Sequence, residues 1–170
     1  MMKIVLFLLL TNYLFFTNSN VKSEDCIIVP NKGINNIVIG KSTLKDVQKE
    51  FGAKRVKKKW HKAIEVELFG KYEYYLEYDS IATFSTITKG RNKNIIYKII
   101  IESDSKCKTK GGNGIDSSYN DIIEELGEGT LTSFSSTNEN PKIEIRYNDM
   151  LVIFNNNDKK TARVEKMIIW

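Results

Sequence analysis

The densest chemistry in the chain is a cationic run, Lys54-Arg55-Val56-Lys57-Lys58-Lys59-Trp60-His61-Lys62. In an extended strand successive side chains alternate, so Arg55, Lys57 and Lys59 point one way while Val56, Lys58 and Trp60 point the other. Such a stripe suits an anionic surface: lipid headgroups, an acidic polymer or an acidic protein. Lysines that keep a sheet edge from pairing with a neighbour are the competing use of the same residues. Further along, Tyr72-Glu73-Tyr74-Tyr75-Leu76-Glu77-Tyr78 puts Tyr72, Tyr74, Leu76 and Tyr78 on one face, which reads as core. Tyr75 then sits between two glutamates on the other face, and an exposed aromatic on a sheet is a binding anchor. Lys57, Lys59, Trp60 and Tyr75 are therefore the partner-contact residues the sequence nominates.

Catalytic arrangements are scarcer. His61 is the only histidine and lies among lysines, without a partner set for general-base work or metal ligation, so it reads as a solvated surface residue. Glu124-Glu125 and the pair Glu65/Glu67 fall where a solvent-facing helix or strand is polar in any case. No nucleophile elbow or zinc-protease helix motif occurs. Lys110-Gly111-Gly112-Asn113-Gly114 lacks the Gly-Lys-Ser/Thr ending of a phosphate-cradling loop, and reads as a flexible linker. The expectation is a non-enzymatic chain with no cofactor and no metal.

The N-terminus restricts the setting. Lys3 precedes Ile4-Val5-Leu6-Phe7-Leu8-Leu9-Leu10, and the apolar stretch ends by Phe16. A positive charge before a short apolar run is the layout of a secretory signal, and the run is shorter than the roughly 20 residues a membrane helix needs. Residues 1–23 are read as that signal, and no later run is long enough to span a membrane. Removing Lys3 and Lys22 from 26 basic residues leaves 24 against 21 acidic ones, a net charge of +3. That balance and an exported location argue against nucleic acid as a partner. Periplasmic and secreted destinations both fit. Two cysteines, Cys26 and Cys107, permit one intramolecular pairing in an oxidising compartment.

The elements that carry these residues occur twice. Thr43-Leu44-Lys45-Asp46-Val47-Gln48-Lys49-Glu50-Phe51-Gly52 matches Ser118-Tyr119-Asn120-Asp121-Ile122-Ile123-Glu124-Glu125-Leu126-Gly127, 75 positions on. Each reads as a short amphipathic helix with a Thr/Ser cap, an Asp three residues later and a terminating glycine. Strand patterns follow both. After the first come Val56–Trp60, Ile64–Leu68, Tyr72–Tyr78, Ile81–Ile87 and Ile95–Ile101; after the second come Thr130–Phe134, Lys142–Tyr147, Met150–Phe154 and Val164–Trp170. The expected fold is α+β, two tandem units of a helix and about four antiparallel strands, over residues 24–105 and 106–170.

Gly33-Ile34-Asn35-Asn36-Ile37-Val38-Ile39-Gly40-Lys41-Ser42-Thr43-Leu44-Lys45-Asp46-Val47, ending at Phe51-Gly52, resembles the opening of small exported domains of the BamE type. The duplication is similar to the β-lactamase-inhibitor-protein fold, in which two helix-plus-four-strand units share one concave sheet. The resemblance implies an exported module that binds a protein through a sheet face, as inhibitor and immunity-type proteins do. The BamE likeness implies instead an envelope-assembly or structural accessory role.

Overall fold

The computed structural model describes residues 26–134 and 141–170. The segment read as an export signal lies outside them. In chain order, strands β1 (Ile27–Val29), β2 (Gly33–Ile34) and β3 (Ile37–Val38) precede helix α1 (Leu44–Phe51). Strand β4 (Lys57–Trp60) and helix α2 (Ala63–Phe69) lead into β5 (Tyr72–Tyr78), β6 (Ala82–Ile87) and β7 (Ile96–Ile101). Strand β8 (Lys108–Thr109) opens onto helix α3 (Tyr119–Leu126), followed by β9 (Thr130–Phe134), β10 (Ile143–Tyr147), β11 (Met150–Phe154) and β12 (Val164–Ile169). The described residues thus form a mixed α+β fold.

The two repeated segments are both helices, and the same local chemistry starts each. The Asp46 carboxylate accepts the Thr43 N–H at 2.7 Å while the Thr43 hydroxyl accepts the Asp46 N–H at 3.4 Å. Asp121 and Ser118 repeat the exchange at 3.0 and 3.2 Å. Two otherwise unpaired N–H groups are satisfied at each start. Gly52 and Gly127 end the helices at φ 94° and 80°, with extended ψ of 162° and −178°. That is a glycine-only region, though not the left-handed helical turn expected from sequence.

The strand sets that follow α1 and α3 are not separated. They join side by side in one eight-stranded antiparallel sheet, ordered β4-β5-β6-β7-β12-β11-β10-β9, with Ile99, Ile100 and Ile101 opposite Ile169, Ile168 and Met167 at the central seam. A second, four-stranded sheet, β3-β2-β1-β8, had no counterpart in the sequence reading. The stretch Ile64–Leu68 is also corrected, because it lies within helix α2. Its period-two pattern is outweighed by the Glu65 carboxylate, which accepts the Lys62 N–H at 3.1 Å, and by Phe69, whose ring stacks on Tyr97 at 5.8 Å. Ile64 and Leu68 consequently face outward, 86% and 70% exposed.

Burial follows one face of the large sheet. Leu76, Phe84, Ile99, Met167, Ile169 and Val152 occupy alternate positions and are fully buried. Phe51 of α1 lies 5.4 Å from Phe84, and Tyr119 of α3 lies 5.4 Å from Phe154, so both helices cover that face. Apolar and aromatic residues at the opposite positions, including Tyr75, Ile100, Ile168, Leu151 and Ile153, are only half-buried.

Cys26 and Cys107 are bonded, with Cα atoms 4.7 Å apart. Each immediately precedes one of the parallel strands β1 and β8, whose register begins Ile27↔Lys108. Closing a span of 81 residues restricts the unfolded chain by about 4.5 kcal/mol in the chain-entropy account. Among the described residues no helix is long and apolar enough to cross a membrane.

Candidate functional site

A β-bulge builds the most polar part of the half-buried face. Ser85 pairs with Lys98 but Thr86 pairs with Ile96, so β7 carries one extra residue, Tyr97. An unbroken strand would send Tyr97 and Lys98 to opposite faces. The bulge lets both reach the same carboxylate, a re-aiming that is a common use of bulges. Lys98 Nζ lies 2.9 Å from Glu73 Oε1, and the Tyr97 hydroxyl donates to that oxygen at 3.1 Å.

Glu73 is 5% exposed. Burial pushes its carboxyl pKa up, but hydrogen bonds from Lys98, Ser85 and Tyr97 and the Lys98 charge more than offset this. The result lies below the usual 4.5. Tyr97 moves the other way. Burial first, and then the Glu73 charge, hold its hydroxyl proton well beyond the ordinary tyrosine range. The cluster is therefore an ionised carboxylate held by a cation and a neutral phenol.

His61 stands beside it and corrects the surface reading. Its side chain is 7% exposed, its ring lies 5.9 Å from Phe69, and its Nδ1 is 3.1 Å from Glu65 Oε2. The Lys62 N–H first, and then His61, hold the Glu65 carboxyl below its ordinary value. A carboxylate only accepts hydrogen bonds, so Nδ1 carries the ring hydrogen. Nε2 is buried and has no hydrogen-bond partner. These groups, with Lys59 and Trp170, line an open cleft of about 440 Å³ beside α2.

The nominated contact residues divide between the two faces. Register pairs Lys57 with Tyr75 and Lys59 with Glu73, placing Lys57, Lys59 and Tyr75 on the cleft side. Lys57 is engaged by Glu77, whereas the Lys59 side chain makes no hydrogen bond or ion pair among the described residues. Tyr75 is half-buried, not fully exposed. Trp60 pairs with Tyr72 and lies on the opposite side, 61% exposed. It packs edge-on against Tyr72 at 4.3 Å, while Lys58 Nζ sits 3.6 Å from the Tyr72 ring centre. Leu76 and Tyr78 are core as expected, but Tyr72 and Tyr74 are half-buried beneath this cation–π group.

Glu73, Tyr97, Lys98 and Trp170 escaped the sequence reading. A signal existed: two consecutive polar residues in Ile96-Tyr97-Lys98-Ile99 break period two, which marks a bulge. The glycine-rich loop also differs from a flexible linker. Its Gly111 N–H, the Thr109 hydroxyl and the Asn113 amide all donate to Glu125, at 3.1, 2.6 and 2.7 Å. An internal carboxylate thus takes the donors a phosphate would need. Among the described residues no three or more His, Cys, Asp or Glu side chains converge to hold a metal ion.

Comparison with family models, with curated proteins and with solved structures finds no match.

Proposed function

We propose that this is an exported, non-enzymatic binding module, of the inhibitor or immunity type, that engages a protein through the half-buried sheet face. One observation carries the reading. Helices α1 and α3 clothe a single face of the eight-stranded sheet, leaving Tyr75, Ile100, Leu151, Ile153 and Ile168 half-buried on the other. Apolar side chains of that kind, rimmed by Lys57 and Lys59, suit a partner with an apolar centre and an acidic border. The symmetric strand order about the β7–β12 seam and the matched helix caps support reading the chain as two tandem units sharing that sheet. The buried disulfide fits an oxidising compartment, periplasmic or extracellular.

The test is capture of a saturable partner from envelope or secreted fractions, followed by quantitative binding. Tyr75→Ala and Lys57→Glu should each weaken the purified complex at least about tenfold. Unchanged affinity in both variants would reject the face.

A second reading, an envelope-accessory protein of the BamE-like type, is favoured by a separate feature. Trp60, Ile64 and Leu68 are exposed near Lys58, Lys62 and Lys71. Apolar residues flanked by cations suit an anionic lipid surface. Sedimentation with anionic vesicles, against neutral vesicles as control, checks it. Equal, negligible binding to both would exclude a lipid-surface role.

A further inference from the structure

We infer that the cleft beside α2 is a binding site for an apolar amino-acid-like carboxylate, presented as a free N-acyl amino acid or as the last residue of a peptide. Its most telling atom is His61 Nε2. His61 is one of the residues lining the cleft, its side chain is 7% exposed, its Nδ1 is committed to Glu65, and its Nε2 is buried without a hydrogen-bond partner. In the neutral ring with its hydrogen on Nδ1, Nε2 presents a buried lone pair. Buried polar atoms are ordinarily satisfied, and an amide N–H from a ligand would satisfy this one.

The remaining lining sets the rest of the ligand. Phe69, Tyr97 and Trp170 give the cleft apolar walls, and about 440 Å³ lies within the span of small-molecule sites. Glu73 does not compete for the ligand, because Lys98 and Tyr97 already hold it. Glu65 is held by His61 and by the Lys62 N–H. The charge left over is the Lys59 ammonium, unpaired among the described residues, and it matches a carboxylate. An amide donor, an apolar side chain and a carboxylate together describe an N-acylated apolar amino acid. The inference adds to the proposed sheet-face role without resting on it: a partner could still bind strands β6, β7 and β12 with this cleft empty.

His61 is the only histidine, so its imidazole resonances are unambiguous. The full chain is titrated with N-acetyl-L-phenylalanine while the ring nitrogens are followed by NMR. A saturable shift of Nε2 is expected. The neutral analogue N-acetyl-L-phenylalaninamide, and the acid against Lys59→Gln, should both bind about tenfold more weakly through loss of one charge-assisted contact. Lys59 is exposed, and an unchanged amide spectrum of the variant will show that it folds. A short peptide ending in phenylalanine separates the two sources: tighter binding than the free acid assigns a peptide terminus, weaker binding a free acid. The inference is overturned by the absence of a His61 shift up to about 10 mM probe, by equal binding of acid and amide, or by an equal shift from acetate alone.

Discussion

Two of the bulges in the large sheet, those in β7 and β12, share one geometry, and they carry different chemistry. The extra residue of β7 lies opposite the step from Ser85 to Thr86 in β6, and that of β12 opposite the step from Ile153 to Phe154 in β11. Both strands show the same burial order over six residues, Ile96–Ile101 and Val164–Ile169. Each bulge brings two consecutive polar residues toward the half-buried face: Tyr97-Lys98 in one, Glu165-Lys166 in the other. The first pair converges on one buried carboxylate, Glu73. The second pair diverges, Glu165 to Lys142 at 2.5 Å and Lys166 to Glu102 at 2.6 Å, in contacts open to water. The backbone device is therefore common to both places, but only the first has a lid, helix α2, that removes its carboxylate from solvent. Burial converts an ordinary ion pair into a site.

That contrast can be broken most sharply through the cations. Lys98→Met leaves a carboxylate that is 5% exposed without its charge partner, and should cost about 3–5 kcal/mol in denaturant unfolding. Lys166→Met removes a partner from an exposed pair and should cost less than about 1 kcal/mol. Similar losses at both positions would mean that α2 does not isolate Glu73.

The pH dependence sharpens the same point. The folded Glu73 carboxyl lies below its ordinary 4.5, so its stabilising contribution is complete above that value and is lost as pH falls through the folded one. Glu73→Gln should therefore flatten the acid limb of the stability curve. The phenols behave oppositely. Burial pushes Tyr147 up to about 12, and Tyr97 is raised further by burial and by Glu73. Stability held by these protonated rings is present below the usual 10 and is lost as pH rises beyond it. In an ultraviolet tyrosinate titration, Glu73→Gln should bring Tyr97 down while leaving Tyr147 at about 12. Movement of both would indicate a general loosening instead.

Where the two halves share chemistry, they should respond alike. Thr43→Ala and Ser118→Ala each remove one half of a capping exchange and should each cost about 1 kcal/mol. The smallest effect belongs to the exposed edge. Trp60→Ala should lower stability by about 0.5–1 kcal/mol, the worth of surface cation–π and ring contacts, because the ring is 61% exposed. A loss several times larger would show that this edge belongs to the core.

Much of the frame was legible in the residues. Thr43/Asp46 and Ser118/Asp121 specify helix starts because a cap acts over three residues, and the glycines that end the helices act over one. Strands β5, β6, β7, β10, β11 and β12 were legible from alternation and from the turns between them. Helix α2 was not, because Ile64, Val66 and Leu68 satisfy a period-two pattern equally well. Phe69 docking on Tyr97, a contact between distant residues, decides between the two. His61 was misread for the same reason: the lysines around it in sequence are solvated, while its ring turns under α2 against Phe69 and Glu65.

The cationic run Lys54–Lys62 illustrates the division. Sequence alone nominated Val56–Trp60 within it as a strand with lysines alternating across it, since side-chain alternation is a property of one chain, and the strand observed is Lys57–Trp60. It also determined the repeated caps and limited two cysteines to one pairing. Only the tertiary structure decided that Lys59 faces a cleft while Trp60 faces away, and that Tyr97 and Lys98 close on Glu73. Those placements depend on register between strands, on a bulge and on a helix folded over the sheet. Each is set by contacts between residues far apart in the chain, which no local pattern encodes.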